Sequence, residues 1–170
     1  AITIESMAKG DQVLLLRKGG IHEDGKDFRM IHREFLLYPT YLHQKESLNQ
    51  PAYHPALRKM LEQPQDFEKV TFEYWAKAEE VLEISEQATV DDLEPHYIWT
   101  PGYAQSKLHW KPMLPLSVLI LRVFKLETPV DVPYIHEYGG CTSWVDVLSG
   151  VKLGEMIPVL SDTEFQCRVD

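Results

Sequence analysis

The strongest apolar run in the chain is Leu-Ser-Val-Leu-Ile-Leu-Arg-Val-Phe-Lys-Leu at residues 116–126, which predicts a buried β-strand. Arg122 interrupts that run, which predicts a position at a sheet face beside a partner or ligand. Residues 13–16, Val-Leu-Leu-Leu, form a shorter run bounded by polar residues, as in a strand covered on both faces. It ends in the loop Arg17-Lys18-Gly19-Gly20. Residues 2–6 and 12–17 flank the Gly-containing connection at 7–11, a pattern that predicts a hairpin. Residues 28–38 read as a strand stopped by Pro39. Val70, Phe72 and Tyr74 alternate with polar residues, so 70–84 reads as a strand although 75–86 is rich in helix formers. Pro55 suits a first helical turn, and 56–62 continue as a short helix up to Pro64. Thr89 is placed to cap a brief turn through Leu93. Residues 102–109 form a second short helix before Pro112 and Pro115. Residues 139–144 are turn-rich, and patterning weakens beyond Gly150.

Mostly strands with short helical inserts, no internal repeat and 170 residues define one domain, able to bury roughly 70% of the surface its unfolded chain exposes. A hydrophobic fraction of 44% with 25% charged residues excludes a disordered composition. No apolar run approaches the roughly 20 residues of a membrane span, and residues 1–10 lack the pattern of a signal peptide. A cytoplasmic, non-membrane protein is therefore expected. Cys141 and Cys167 are too few for a disulfide framework, lack zinc spacing, and read as free thiols.

Charge changes this picture through its distribution. The net charge is −9, and residues 62–94 carry all of it, with eleven acids against Lys69 and Lys77. Residues 95–126 contain no acid, but hold Lys107, Lys111, Arg122 and Lys125 among Tyr97, Trp99, Tyr103 and Trp110. A base read outside its stack needs aromatic planes and nearby cations for flanking phosphates. Trp99, Tyr103 and Trp110 supply planes for stacking, and Lys107 and Lys111 supply cations. Arg17 and Lys18, beside Gly19 and Gly20, belong to a loop that a phosphate backbone can approach closely. The competing reading makes the aromatics core residues and Arg17 and Lys18 a solvated strand end.

Histidines offer a different chemistry. His32, Glu34 and His43 form a candidate acid–base set, but in a strand His32 and Glu34 share one face while Arg33 points to the other. No H-E-x-x-H, tight metal-ligand cluster or G-x-S-x-G elbow is present, so neither metal nor cofactor is expected. Asp24-Gly25-Lys26 and Gln105-Ser106-Lys107 do not make a nuclease core. Cys141 with His136 lacks the cationic surroundings of an activated thiolate; the glycines before it fit a chain reversal that packs Trp144.

Several blocks resemble a known family when taken in order. Leu14-Leu15-Leu16-Arg17-Lys18-Gly19-Gly20-Ile21, His32-Arg33-Glu34-Phe35-Leu36-Leu37-Tyr38-Pro39-Thr40 with His43-Gln44, His96-Tyr97-Ile98-Trp99-Thr100, Leu108-His109-Trp110-Lys111-Pro112, Leu121-Arg122-Val123 and Tyr138-Gly139-Gly140-Cys141-Thr142-Ser143-Trp144 resemble a domain-of-unknown-function family common in cyanobacteria and found in other bacteria and archaea. The resemblance covers residues 1–148. Its members occur with Mrr-type restriction endonuclease domains, which implies a restriction-modification or defence setting and a nuclease partner. The order of elements also resembles the PUA-like superfamily, including ASCH and EVE domains, whose pockets receive a base or modified nucleotide.

That resemblance implies an α+β fold, a small mixed and mainly antiparallel β-barrel with short inserted helices over residues 1–148. Residues 149–170 would be a C-terminal extension packing on it or partly flexible. The function expected first is a nucleic-acid or modified-nucleotide binding module, for DNA or RNA carrying a modified base. It would use Arg17, Lys18, His32, Arg33, Tyr38, Thr40, His43, Trp99, Lys107, Trp110, Lys111 and Arg122. The alternatives are a small-molecule or nucleotide-processing enzyme built on His32, Glu34 and His43, and a protein-interaction domain using the acidic face at 62–94. Binding is favoured over turnover.

Overall fold

A computed structural model describes residues 1–18, 30–41, 44–64, 66, 68–138, 144–147 and 150–170. Its centre is the strand β4 (Leu116–Pro133), which contains the strongest apolar run and continues beyond it to residue 133. Strand β3 (Lys69–Ile84) pairs with it antiparallel along its whole length, from Lys69 opposite Pro133 to Ile84 opposite Leu116. The register shifts between Phe72 and Tyr74 and again between Ala78 and Glu80. On the other edge of β4, two short strands lie in tandem. β1 (Leu14–Arg17) pairs with residues 117–120, and β5 (Met156–Pro158) pairs with 124–126. Strand β2 (Glu34–Leu36) pairs antiparallel with residues 75–77 of β3.

Among the described residues the order β1-β4-β3-β2, with β5 beside β4, gives an open five-stranded antiparallel sheet. This corrects the expected barrel. Closure requires the two edge strands to meet in a common ladder, whereas β1 and β2, four and three residues long, stand on opposite edges. The α+β class holds, because helices cover the sheet instead of closing it.

Both faces of β4 are buried through its first half, which explains a continuous apolar run in an antiparallel sheet. Leu116, Val118 and Ile120 face a core with Leu14, Leu16, Leu57, Val90, Ile98, Ala104 and Leu108. Leu119, Leu121 and Val123 face the other way, against Met7, Leu37, Ala76 and Ala78. A third cluster, Val70, Phe72, Val132 and Tyr138, fills the far end of the sheet.

The helices are α1 (Ile2–Ala8), α2 (His54–Leu61), α3 (Gln87–Asp92), α4 (Pro101–His109) and α5 (Asp162–Val169). α2 and α4 fall where prolines in the first turn place them. α1 replaces the first strand of the expected hairpin. The short alternation Ile-Thr-Ile-Glu fits either period, but Ile2 and Ser6, four residues apart, bury one helical side, and Lys9 pairs with Glu5 at the same spacing. Gly10 turns the chain out of α1 at φ 74°, where a Cβ would meet Leu160 at 2.5 Å. Thr89 lies inside α3 and Glu86 precedes it as the cap residue. Of the strand expected over 28–38, only Glu34–Leu36 forms a named strand, and residues 28 and 29 lie outside the described residues. The chain beyond 150 adds β5 and α5 to the sheet. Ser161 and Glu164 form a reciprocal cap at the start of α5, and Phe165 enters the core.

Candidate nucleic-acid interface

The acid-free stretch begins on a buried polar anchor. Gln12, itself buried, donates from Nε2 to the Leu14 carbonyl (2.7 Å) and accepts from the Ile98 amide (3.0 Å), fixing the segment that leads into α4. Trp99 follows, paired across an isolated bridge with Asn49 and 9% exposed. Its ring lies 5.9 Å from Tyr97 and 5.7 Å from Tyr103, both tilted. Trp99 is thus a core residue whose neighbours are this chain's own aromatics. Burial also raises the pKa of the Tyr97 hydroxyl, with Glu94 and Asp91 adding to the effect.

Thr100 caps α4, its Oγ1 accepting from the Tyr103 amide at 3.3 Å. From there helical spacing sorts the side chains. Ala104 and Leu108 are buried, while Gln105 and His109 reach α3, at 3.4 Å from Asp91 and 3.0 Å from Gln87. Tyr103, Lys107 and Trp110, at i, i+4 and i+7, occupy another side. Lys107 Nζ lies 5.2 Å from the Tyr103 ring centre, and Lys111 Nζ lies 4.6 Å above Trp110. Trp110 is 38% exposed and Met113 93%. Lys111 has a φ of 52°, so the chain reverses there.

Lys18 explains why that reversal is held. The residue is 4% exposed, and its ammonium donates to the Leu108 carbonyl at 2.7 Å and to the Leu114 carbonyl, closing residues 108–114 from beneath. Burial pushes its pKa down from the usual lysine range. Lys18 is therefore neither the phosphate contact first expected nor the solvated strand end of the competing reading: its ammonium is an internal tie that presents Trp110, Lys111 and Met113 outward.

The other expected residues fall elsewhere. Arg17 is half-buried in β1. Tyr38 belongs to the aromatic cluster at the opposite end of the sheet, 6.0 Å from Phe72 and 6.4 Å from Tyr138, with its pKa raised by burial. The Thr40 carbonyl accepts from the Ala1 nitrogen at 2.6 Å. Arg33 donates from Nη1 to the carbonyls of Ala78 and Glu79, each at 3.3 Å. His32 meets Trp144 edge-on at 6.1 Å, and Glu34 stands opposite Lys77 in the ladder. His43, Gly19, Gly20, Cys141 and the Asp24-Gly25-Lys26 loop lie outside the described residues. Among the described residues there is no group of three His, Cys, Asp or Glu side chains placed to hold a metal. Arg122, expected beside a partner or ligand, donates from Nη2 to Asp162 and lies 5.5 Å from the Phe165 ring, both on α5.

Met113, Gln12 and the tying role of Lys18 escape sequence reasoning. Met113 sits between prolines without periodicity, and the bonds of Gln12 and Lys18 reach residues far away in sequence. The acids line β3 and α3, and Asp91 meets α4 through Gln105. Glu73, Glu79, Glu80, Glu83, Glu86, Asp91, Asp92 and Glu94 are all exposed along β3, α3 and the turn after them.

An open antiparallel sheet with a cation–aromatic helix side defines a small α+β domain whose candidate site is a surface. Along residues 1–170 the chain matches the family described as Domain of unknown function (DUF1802), and it belongs to that family. No curated protein and no solved structure matched it. Among the described residues no helix is long and apolar enough to cross a membrane.

Proposed function

We propose that this chain is a nucleic-acid binding module that receives an unstacked base and its flanking phosphates on the surface formed by Tyr103, Lys107, Trp110, Lys111 and Met113. The observation that carries this reading is the repeated pairing of a lysine with an aromatic ring, Lys107 on Tyr103 and Lys111 on Trp110, in the acid-free stretch. A base stacking on such a ring gains about 1–3 kcal/mol, and a lysine beside it neutralises phosphate. A modified base as ligand and PUA-like kinship, suggested by the order of elements along the sequence, and a restriction-endonuclease partner, suggested by the block resemblance, complete the same reading.

Fluorescence anisotropy with single- and double-stranded oligonucleotides, with and without methylated or hydroxymethylated cytosine and across a salt series, tests it. Lys111→Ala should weaken binding to all sequences and reduce the salt slope by about one. Trp110→Ala should remove affinity with little change of slope. Identical slopes for wild type and Lys111→Ala would reject the phosphate role, and absence of binding to every oligonucleotide would reject the function.

A second reading is a protein-interaction domain that docks a basic partner on the exposed acids of β3 and α3, supported by their concentration there. The acid–base reading has less support, because His32 packs on Trp144 and Glu34 stands opposite Lys77.

A further inference from the structure

Between β4 and α5 lies a cavity of about 10 Å³. Met7, Leu121, Leu160 and Phe165 give it mainly apolar walls, and Gln12 and Arg122 are among its lining residues. Arg122 is bound on several sides: Nη2 donates to Asp162, and the guanidinium carbon lies 5.7 Å from the Phe124 ring and 5.5 Å from the Phe165 ring. Its Nε is different. That atom is buried, and no acceptor among the described residues meets it. A buried N–H on a cation is costly to leave without an acceptor, and native structures satisfy nearly all such groups with protein or ordered water. Gln12 holds the complementary group. Its Oε1 accepts one bond, from Ile98, and a carbonyl oxygen has a second lone pair.

We propose that this cavity is a binding site for a single water molecule that accepts from Arg122 Nε and donates to Gln12 Oε1. The volume corresponds to about one water-sized sphere, which excludes organic ligands, and the two polar side chains match the donor and acceptor capacity of water. A halide would accept from Arg122 but has no proton for Gln12. With the water in place, Arg122 joins three parts of the fold, since it reaches α5 through Asp162, reaches Gln12 just before β1, and lies itself in β4.

A crystal structure of the full chain resolving ordered solvent, repeated after a bromide soak, tests the site. The expected result is a peak within about 3.2 Å of Arg122 Nε that gives no anomalous signal. An empty position, a side chain supplying the acceptor, or bromide in the peak would overturn the proposal. Magnetic relaxation dispersion in solution gives an independent count of long-lived internal waters. Arg122→Lys keeps a cation for Asp162 but lacks the Nε–H, so the count should fall by one while circular dichroism stays native; an unchanged count in a folded variant would also overturn it.

Discussion

Lys18 shows how far a residue's role can lie from its local sequence. Beside Arg17 and two glycines it reads as a phosphate contact or, alternatively, a solvated strand end, yet its ammonium is buried against carbonyls 90 and 96 residues further along the chain. Nothing near Lys18 encodes those partners. Lys18→Met should leave both carbonyls without a donor and lower stability by about 1–3 kcal/mol, measured by urea denaturation. The pH dependence has a definite sign. Burial lowers the folded pKa, so the unfolded chain binds the proton more tightly and the contribution of Lys18 to stability improves as pH rises from the folded value towards about 10.4. Urea midpoints for wild type relative to Lys18→Met should therefore rise across the alkaline range; a flat difference would contradict the burial. The tryptophans separate in the same way. Trp99→Ala, in the core, should cost about 3–5 kcal/mol, whereas Trp110→Ala should leave the unfolding midpoint nearly unchanged.

At the scale of elements, legibility followed periodicity and length. β4 was readable from its continuous apolar run, β3 from the alternation of Val70, Phe72 and Tyr74, and α2 and α4 from helix formers bounded by prolines. α1 was not, because Ile-Thr-Ile-Glu is too short to separate a period of two from one near 3.6. The α5 signal is carried by a single buried residue, Phe165, and by the Ser161–Glu164 cap. Arg122, which reads from sequence as a ligand contact, pairs with Asp162 of that weakly patterned helix. Phe165→Ala should cost about 3 kcal/mol and Asp162→Asn very little, because Asp162 is exposed; the two unfolding curves distinguish packing from pairing. Exposed carboxylates add an acid-side dependence. Hydrogen bonds from Arg58, from Lys69 and Thr71, and from Ser161 hold Glu46, Asp131 and Glu164 below their ordinary pKa values. Folded carboxylates of this kind contribute stability above about pH 4 that disappears as pH falls through their lowered values. Asp131→Asn should accordingly flatten the fall of melting temperature between neutral pH and pH 3.

Over the whole molecule, charge is divided as the sequence divides it: acids along β3 and α3, cation–aromatic pairs on another side of α4. The sequence revealed this division but not which of its aromatics face outward, since Trp99 and Trp110 share composition and differ only in packing. A domain with a net charge of −9 must approach a polyanion in one orientation. Replacing Glu83 and Glu86 with glutamine should therefore strengthen oligonucleotide binding at low salt and have little effect near 0.15 M, where the Debye length is about 8 Å. The tandem seating of β1 and β5 on one edge of β4 has a kinetic counterpart. Both strands use β4 as their template, so the earliest and latest strands of the chain wait for a segment at 116–126 to be in place, and neither can nucleate the sheet locally. Loop closure over such separations slows the search for the native state. During refolding the chain would thus hold its most apolar strand uncovered on one edge until β1 and β5 close their long loops onto it, which makes 116–126 the segment most exposed to aggregation.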